Sequence, residues 1–291
     1  MRQSRWLVGA VAVVVGYVGT SAARQDEELD LRGPAPQKGQ VVVHTSTFQI
    51  KNAAVTIKAG DTTIDARQTL KAVEEEEVKY LAVDGRQVTK AQTRVVKDKV
   101  DTVTTIMDNP MRDSKDGDLL GEVIVSERSA AGKWKHTLVD TRPTAKQKKE
   151  LDKRVGPESD DDLYPAGKVK VGHKWTVEAA TLQRVFGGSI SELKGKLNLT
   201  LVRVEELDGE ACAVITSKGK VTGVAKEDDG DLKVEMELDG TTWRSLKTGI
   251  DVKDQAKGTM RMSGKTESDG QSLDLELVGP ITIEGTARLK K

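Results

Sequence analysis

The residues of this chain whose types could do chemistry are three histidines, two serine–lysine pairs, an aspartate-rich loop and one cysteine. His44, His136 and His173 each stand alone in strand-like surroundings. None has a second histidine three to five residues away, the spacing that a structural zinc site uses. Each therefore reads as a solvated or singly hydrogen-bonded strand histidine, and only folding can decide whether the three converge. Ser191-Glu-Leu-Lys194 and Ser217-Lys-Gly-Lys220 have the Ser-x-x-Lys spacing of serine acyl enzymes. That chemistry needs the serine at a helix start and the lysine one turn later on the same face. Neither stretch carries a helical pattern, and no Lys-Thr-Gly follows, so both read as coincidences of a lysine-rich chain.

Asp228-Asp229-Gly230-Asp231 invites a calcium reading, but lacks the alternating oxygen ligands and distal glutamate of a helix–loop–helix site. It reads as a solvated hairpin tip. Glu74-Glu75-Glu76-Glu77 reads as a charged strand edge that discourages edge-to-edge pairing. Cys212 lies in the apolar run Glu210-Ala-Cys-Ala-Val-Ile215 and is expected to be a small buried hydrophobe. No nucleophile elbow or phosphate-binding loop occurs. The sequence thus assigns no catalytic residue, no cofactor-binding residue, no metal ligand and no cofactor.

Composition narrows the partners. Lysine plus arginine number 46, as do aspartate plus glutamate. A balanced chain has no basic face for nucleic acid, and no polybasic cluster marks an anionic lipid surface. Aromatic residues make up only 3% of the chain, which argues against a sugar-binding module built on stacked rings, and each tryptophan is expected to anchor core. With a single cysteine no intrachain disulfide is possible, so stability must come from core and sheet.

The elements that would position any site are strands. Residues 1–23 have the layout of a cleavable signal peptide: a charged start, an apolar run from Trp6 to Gly19, and small residues ending at Ser21 and Ala23. The expectation is a secreted or periplasmic protein with no transmembrane span after cleavage. No cysteine follows the apolar run, which argues against a lipid anchor. Residues 24–40, with Pro34 and Pro36, read as a flexible lead-in. From Val41 the chain alternates with period two. In Leu232-Lys-Val-Glu-Met-Glu-Leu238 one face is apolar and the other charged, and Leu273–Leu277 and Ile281–Leu289 repeat this, with Gly285 a candidate bulge. Leu197–Leu201 and Val96–Val100 follow less cleanly. Leu232, Val234, Met236 and Leu238 are expected to share a buried layer with Leu273, Leu275, Leu277, Ile281 and Ile283.

Asp-Gly occurs at residues 84–85, 116–117, 208–209, 229–230, 239–240 and 269–270, the dipeptide that best fits a type I′ hairpin turn. Pro143 to Val155, closed by Gly156-Pro157, carries helix start and stop signals over a thin apolar stripe, Leu151 and Val155. The prediction is an all-β antiparallel meander, an open or half-barrel sheet. Its N-terminal half spans 41–140 and its C-terminal half 169–291, joined by a helix-and-loop connector over 141–168.

Tyr164-Pro-Ala-Gly-Lys-Val-Lys-Val-Gly-His-Lys-Trp175 resembles a strand entry of uncharacterised secreted β-rich bacterial proteins, Pro…Val-x-Val-Gly-x-x-Trp. The match rests on Pro165, Val169, Val171, Gly172 and Trp175. It implies an exported, β-rich, bacterial protein and transfers no site. The architecture also resembles the open half-barrels of periplasmic lipoprotein carriers, a twisted sheet with a covering helix. Three functions follow in order of support. The first is a non-enzymatic envelope or secreted binding or structural module, the second a half-barrel carrier of a lipid or other apolar ligand, and the third a hydrolase. A filled core with a plain surface fits the first, and an apolar concavity the second.

Overall fold

The computed structural model describes residues 27–157, 160–182, 190–227, 230–268 and 271–290. The proposed signal peptide, Phe186 and the Asp228-Asp229 tip lie outside these residues. The rest is dominated by one twelve-stranded antiparallel sheet that does not close into a barrel. The N-terminal strands are β1 (Val41–Ala59), β2 (Thr62–Asp84), β3 (Gln87–Ile106), β4 (Asn109–Asp116), β5 (Val123–Arg128) and β6 (Trp134–Leu138). The C-terminal strands are β7 (Lys174–Glu178), β8 (Ile190–Leu207), β9 (Glu210–Glu227), β10 (Gly230–Ser245), β11 (Asp251–Ser268) and β12 (Gln271–Leu289). Helix α1 (Ala145–Lys153) lies between the two sets, and a single turn, α2 (Ala179–Leu182), follows β7.

The strands run in the order β6-β5-β3-β2-β1-β12-β11-β10-β9-β8-β7, with β4 folded back on the end of β3. The two halves of the sequence form one sheet, because β1 pairs with β12 from Val42↔Leu289 to Lys58↔Asp274. This order puts β6 and β7 at opposite edges. The connector between them must therefore cross the whole sheet, and it does so over the inner face.

Register explains why that face is dry. On β10, Leu232, Val234, Met236 and Leu238 are buried while Lys233, Glu235 and Glu237 are exposed. Val234 stands opposite Met262, Met236 opposite Met260, and Leu238 opposite Gly258. Directly opposed residues share a face, so the apolar parity is handed from strand to strand. Leu277 and Ile281 join this cluster, with Ile50, Val55 and Ala66 from β1 and β2, and Leu275 and Ile283 packed against it. The outer face carries cross-strand ion pairs instead, Lys220 to Glu235 at 3.1 Å and Arg261 to Glu276 at 2.7 Å.

The curl of the sheet has a sequence basis. Across the strands one inner row reads Leu197, Gly219, Leu238, Gly258, Ile281 and Ile50. Large residues alternate with glycine, so backbones approach closely over the small positions and the face bends inward. At Gly258 a Cβ would sit 1.8 Å from the carbonyl oxygen of Glu237.

Several local expectations change. Asp239-Gly240 is not a turn but the middle of β10, where Gly240 faces Ser217 of β9 and Ala256 of β11. Asp116-Gly117 ends β4 and leads into a loop. Asp84-Gly85 and Asp208-Gly209 do join consecutive strands, and Asp208 and Gly209 take φ of 51° and 81°. Gly285 pairs regularly, while the bulge of β1 falls between Ile50 and Ala54, around Asn52 at φ 48°. A second irregularity, between Glu75 and Glu76, buries Val95 and leaves Val96 exposed. The glutamate run sits not on an edge but between β1 and β3.

The helix begins as its sequence directs. Thr144 caps it, accepting from the Gln147 amide, while the Gln147 side chain accepts from the Thr144 amide. Leu151 is its one buried residue and packs on Val95, Ile124 and Leu138. Arg154, just beyond, pairs with Glu76 at 2.5 Å. The lead-in carries more structure than its composition predicts. Leu29 and Leu31 are buried with Tyr164 and Val169, and Leu29 exchanges two backbone hydrogen bonds with Val169 at 2.8 and 2.9 Å.

Candidate functional site

Where β10 leaves the apolar layer its inner parity continues as Gly240, Thr242 and Arg244. An arginine on the dry face is a buried cation, and such a group persists only with partners for its donors. Arg244 is 2% exposed. Its Nε donates to the Leu31 carbonyl, its Nη1 to Asp251 Oδ1 at 2.7 Å, and its Nη2 to the Arg32 carbonyl at 3.5 Å. The guanidinium lies 3.8 Å over the ring of Tyr164, whose hydroxyl donates to Asp251 at 2.8 Å. Burial opposes the charge on Arg244, but Tyr164 and Asp251 outweigh it and hold the group more firmly protonated than usual. Burial, then Asp251, raises the Tyr164 phenol well above its ordinary value, so it stays a donor.

Arg86, in the β2–β3 turn, makes a second clamp. It grips Asp161 through Nε at 2.5 Å and Nη2 at 2.8 Å, and reaches the carbonyls of Gly33 at 2.9 Å and Arg32 at 3.0 Å. Two arginines, one on β10 and one in the β2–β3 turn, thus fasten the lead-in and the connector across one end of the inner face.

Beneath that strap lies a cavity of about 840 Å³. Val42, His44 and Ser46 of β1 line it, as do Val177 of β7, Leu182 of α2, Leu197 and Leu199 of β8, Leu238 and Thr242 of β10, Asp254 of β11 and Ile283 of β12. Strands from the middle of the sheet and from its β7 edge thus face one volume, which requires the sheet to be concave here. Its size is that of a small-molecule site.

The ionisable groups that line this space include Asp254 and His44, both on the sheet itself. Asp254 stands opposite Thr242 and accepts from its hydroxyl at 2.6 Å. Burial, with the neighbouring Asp251, pushes its carboxyl up to about 8. His44 stands opposite Glu76; burial lowers its pKa against the pull of Glu76 and Asp251, which favours the neutral ring. Tyr80, also on the wall, has its phenol pushed up to about 12 by burial.

The structure separates most residues singled out by sequence. His136 is on β6 at one edge, with Nδ1 2.8 Å from the Ser126 hydroxyl, whereas His173 precedes β7 at the other and stacks on Trp175. His44 is in the middle, so the histidines occupy three different surroundings. Among the described residues no group of three or more His, Cys, Asp or Glu is placed to hold a metal ion. Ser217 lines the cavity, but Lys220 points to the outer face and Glu235; three residues along a strand reverse the side. Ser191 and Lys194 straddle a break in register, and the Ser191 hydroxyl donates to the Val224 carbonyl. Cys212 is fully buried, and burial raises its thiol to about 11. Of the tryptophans, Trp175 packs with the inner clusters and donates to the Leu163 carbonyl at 2.9 Å.

Sequence reading missed Arg244, Asp251, Asp254, Tyr164 and the Arg86–Asp161 clamp. A signal existed for Arg244: continuing the parity of Leu232 to Leu238 along the strand lands on it. Asp254 is found in the same way only once the β10–β11 register is known.

No family model matches the chain, and no curated protein matches it in sequence. Among solved structures, the COG4313 outer membrane channel from Pseudomonas putida F1 matches at 7% identity, over 88% of this chain and 97% of that one, with a TM-score of 0.27. A DUF1329 family protein from Desulfovibrio piger matches at 12% identity, over 87% and 85% of the two chains, with a TM-score of 0.16. These superpositions are too loose to carry over anything about either protein.

Proposed function

We propose that this chain is an exported half-barrel carrier that shelters an apolar ligand against its inner face. The observation that carries the reading is the cavity of about 840 Å³ in a concave, open sheet, with an aliphatic wall that includes Val42, Val177, Leu182, Leu197, Leu238 and Ile283. A structural module would have filled that space, because close packing leaves few voids larger than a water molecule. The order of support read from sequence is therefore reversed, with the carrier ahead of the plain module.

The outer face supports a soluble carrier rather than a membrane-spanning barrel. A transmembrane barrel turns an apolar band to lipid and polar residues inward. Here Lys218, Lys220, Lys233, Glu235, Glu237 and Asp239 point outward, and the aliphatic residues inward. No described helix is long and apolar enough to cross a membrane. The signal-like residues 1–23 support export to the envelope or beyond.

The test is native mass spectrometry of the protein purified without detergent, followed by extraction with organic solvent. The expected result is a retained apolar molecule, or uptake of one added chain per protein after extraction. Protein that neither retains nor takes up an apolar chain would overturn the reading.

A further inference from the structure

We propose that Asp254 is the headgroup anchor of this cavity, and that the ligand is an amphiphile bearing a protonated amine. The inference rests on the carrier reading and deepens it. Four aspartates, Asp160, Asp161, Asp251 and Asp254, line the cavity, together with Arg86 and Arg244; Arg32, Lys38, Lys247 and Glu284 also line it. Arg86 is committed to Asp161 and to two backbone carbonyls. Arg244 is committed to Asp251 and to the Leu31 and Arg32 carbonyls. The two arginines are thus held to the strap by their hydrogen bonds.

Asp254 is different. Its Oδ1 accepts from Thr242, while its Oδ2 accepts no hydrogen bond and it has no basic partner among the described residues. It lies deep in the molecule yet keeps open surface, because that surface is cavity wall. Asp251 and Asp160 both make its surroundings more negative, and Arg244 only partly offsets them. The remaining ionisable wall group on β1, His44, is held toward its neutral form. A cation is what Asp254 itself lacks, since no basic side chain among the described residues pairs with it and its nearest charged neighbours are mainly acidic.

The geometry gives the ligand two ends. An ammonium at Asp254 would donate a charge-assisted hydrogen bond to the free Oδ2, the stronger kind of such bonds. An alkyl chain would then lie along Leu238, Ile283, Leu197 and Val177. An anionic headgroup in the same place would meet unpaired carboxyl instead. Binding of the amine must also release the proton that the raised carboxyl holds at neutral pH.

The experiment is calorimetric titration of the full chain with decylamine, decanol and decanoate at neutral pH, below their aggregation limits. Decylamine is expected to bind at least about tenfold more tightly than decanol, with proton uptake by the buffer that decanol binding does not show. Asp254→Asn should reduce decylamine to the affinity of decanol and leave decanol unchanged, which also reports that the variant is folded. Should that variant not fold, the proton release by the unaltered protein carries the test. Decanol binding as tightly as decylamine, decanoate binding most tightly, or amine binding without proton release would each overturn the amine anchor and leave the carrier reading standing. If none of the three chains binds, the carrier reading falls and the anchor with it.

Discussion

Strand β10 has two ends that obey the same alternation and do opposite jobs. From Leu232 to Leu238 its inner side chains pack into a closed aliphatic layer with Met260, Leu277 and Ile281. From Gly240 to Arg244 the same face turns polar, and the layer opens into a cavity roofed by the lead-in and the connector. The first end is held by apolar burial, which has no direction and tolerates substitutions that conserve volume. The second is held by directed bonds from Arg244 to Asp251 and to backbone carbonyls, which tolerate almost none. The comparison teaches that a continuous strand can be core at one end and clamp at the other, with only side-chain chemistry changing.

The sharpest way to break this contrast is Arg244→Met. It leaves the Leu31 carbonyl without its side-chain donor and the half-buried Asp251 without its cation, and is expected to cost about 3–5 kcal/mol in urea unfolding. A loss below about 1 kcal/mol would show that the clamp is dispensable. At the apolar end, Val234→Asp should destabilise by about 3 kcal/mol, since an unpaired carboxylate would enter the layer with Met236 and Met262. Gly258→Ala tests the curl between the two ends. Its new methyl would meet the Glu237 carbonyl, so a loss of about 1–3 kcal/mol is expected in thermal melts, against a slight gain if the strand were flat.

Asp254→Asn sharpens the polar end through pH. The folded-state pKa of Asp254 is raised to about 8, above the roughly 4 of an unfolded aspartate. Folded protein therefore binds the extra proton, and its contribution to stability is full below pH ~4 and is lost as pH rises through about 8. Relative to the variant, the unaltered protein should lose stability steadily across that window; a constant difference between the two would show that Asp254 is not buried as described. The smallest effect belongs to the outer face. Glu235→Lys removes only an exposed pair with Lys220 and should change stability by no more than about 0.5 kcal/mol. Were it the damaging change and Val234→Asp the harmless one, the faces would be reversed.

The strands and the inward set Leu232, Val234, Met236, Leu238, Leu277 and Ile281 were legible in sequence, because a period of two is a local property of the chain. The helix was legible for the same reason, since Thr144 and Gln147 cap it within one turn. The Asp-Gly rule worked at Asp208-Gly209, where turn geometry is local, and failed at Asp239-Gly240. There the glycine answers to Ser217 and Ala256 on neighbouring strands, which no local rule sees.

What the sequence by itself determined is therefore the alternation, its dry face and the charge on the wet one. Only the tertiary structure decided that β1 pairs with β12, that the connector must cross from the β6 edge to the β7 edge, and that the lead-in is fastened there. The polar site depends on those choices, since Arg244, Arg86, Leu31 and the pair Asp161 and Tyr164 come from four separate stretches of chain. Their meeting is set by register between strands and by sheet order, and period-two alternation carries no information about either.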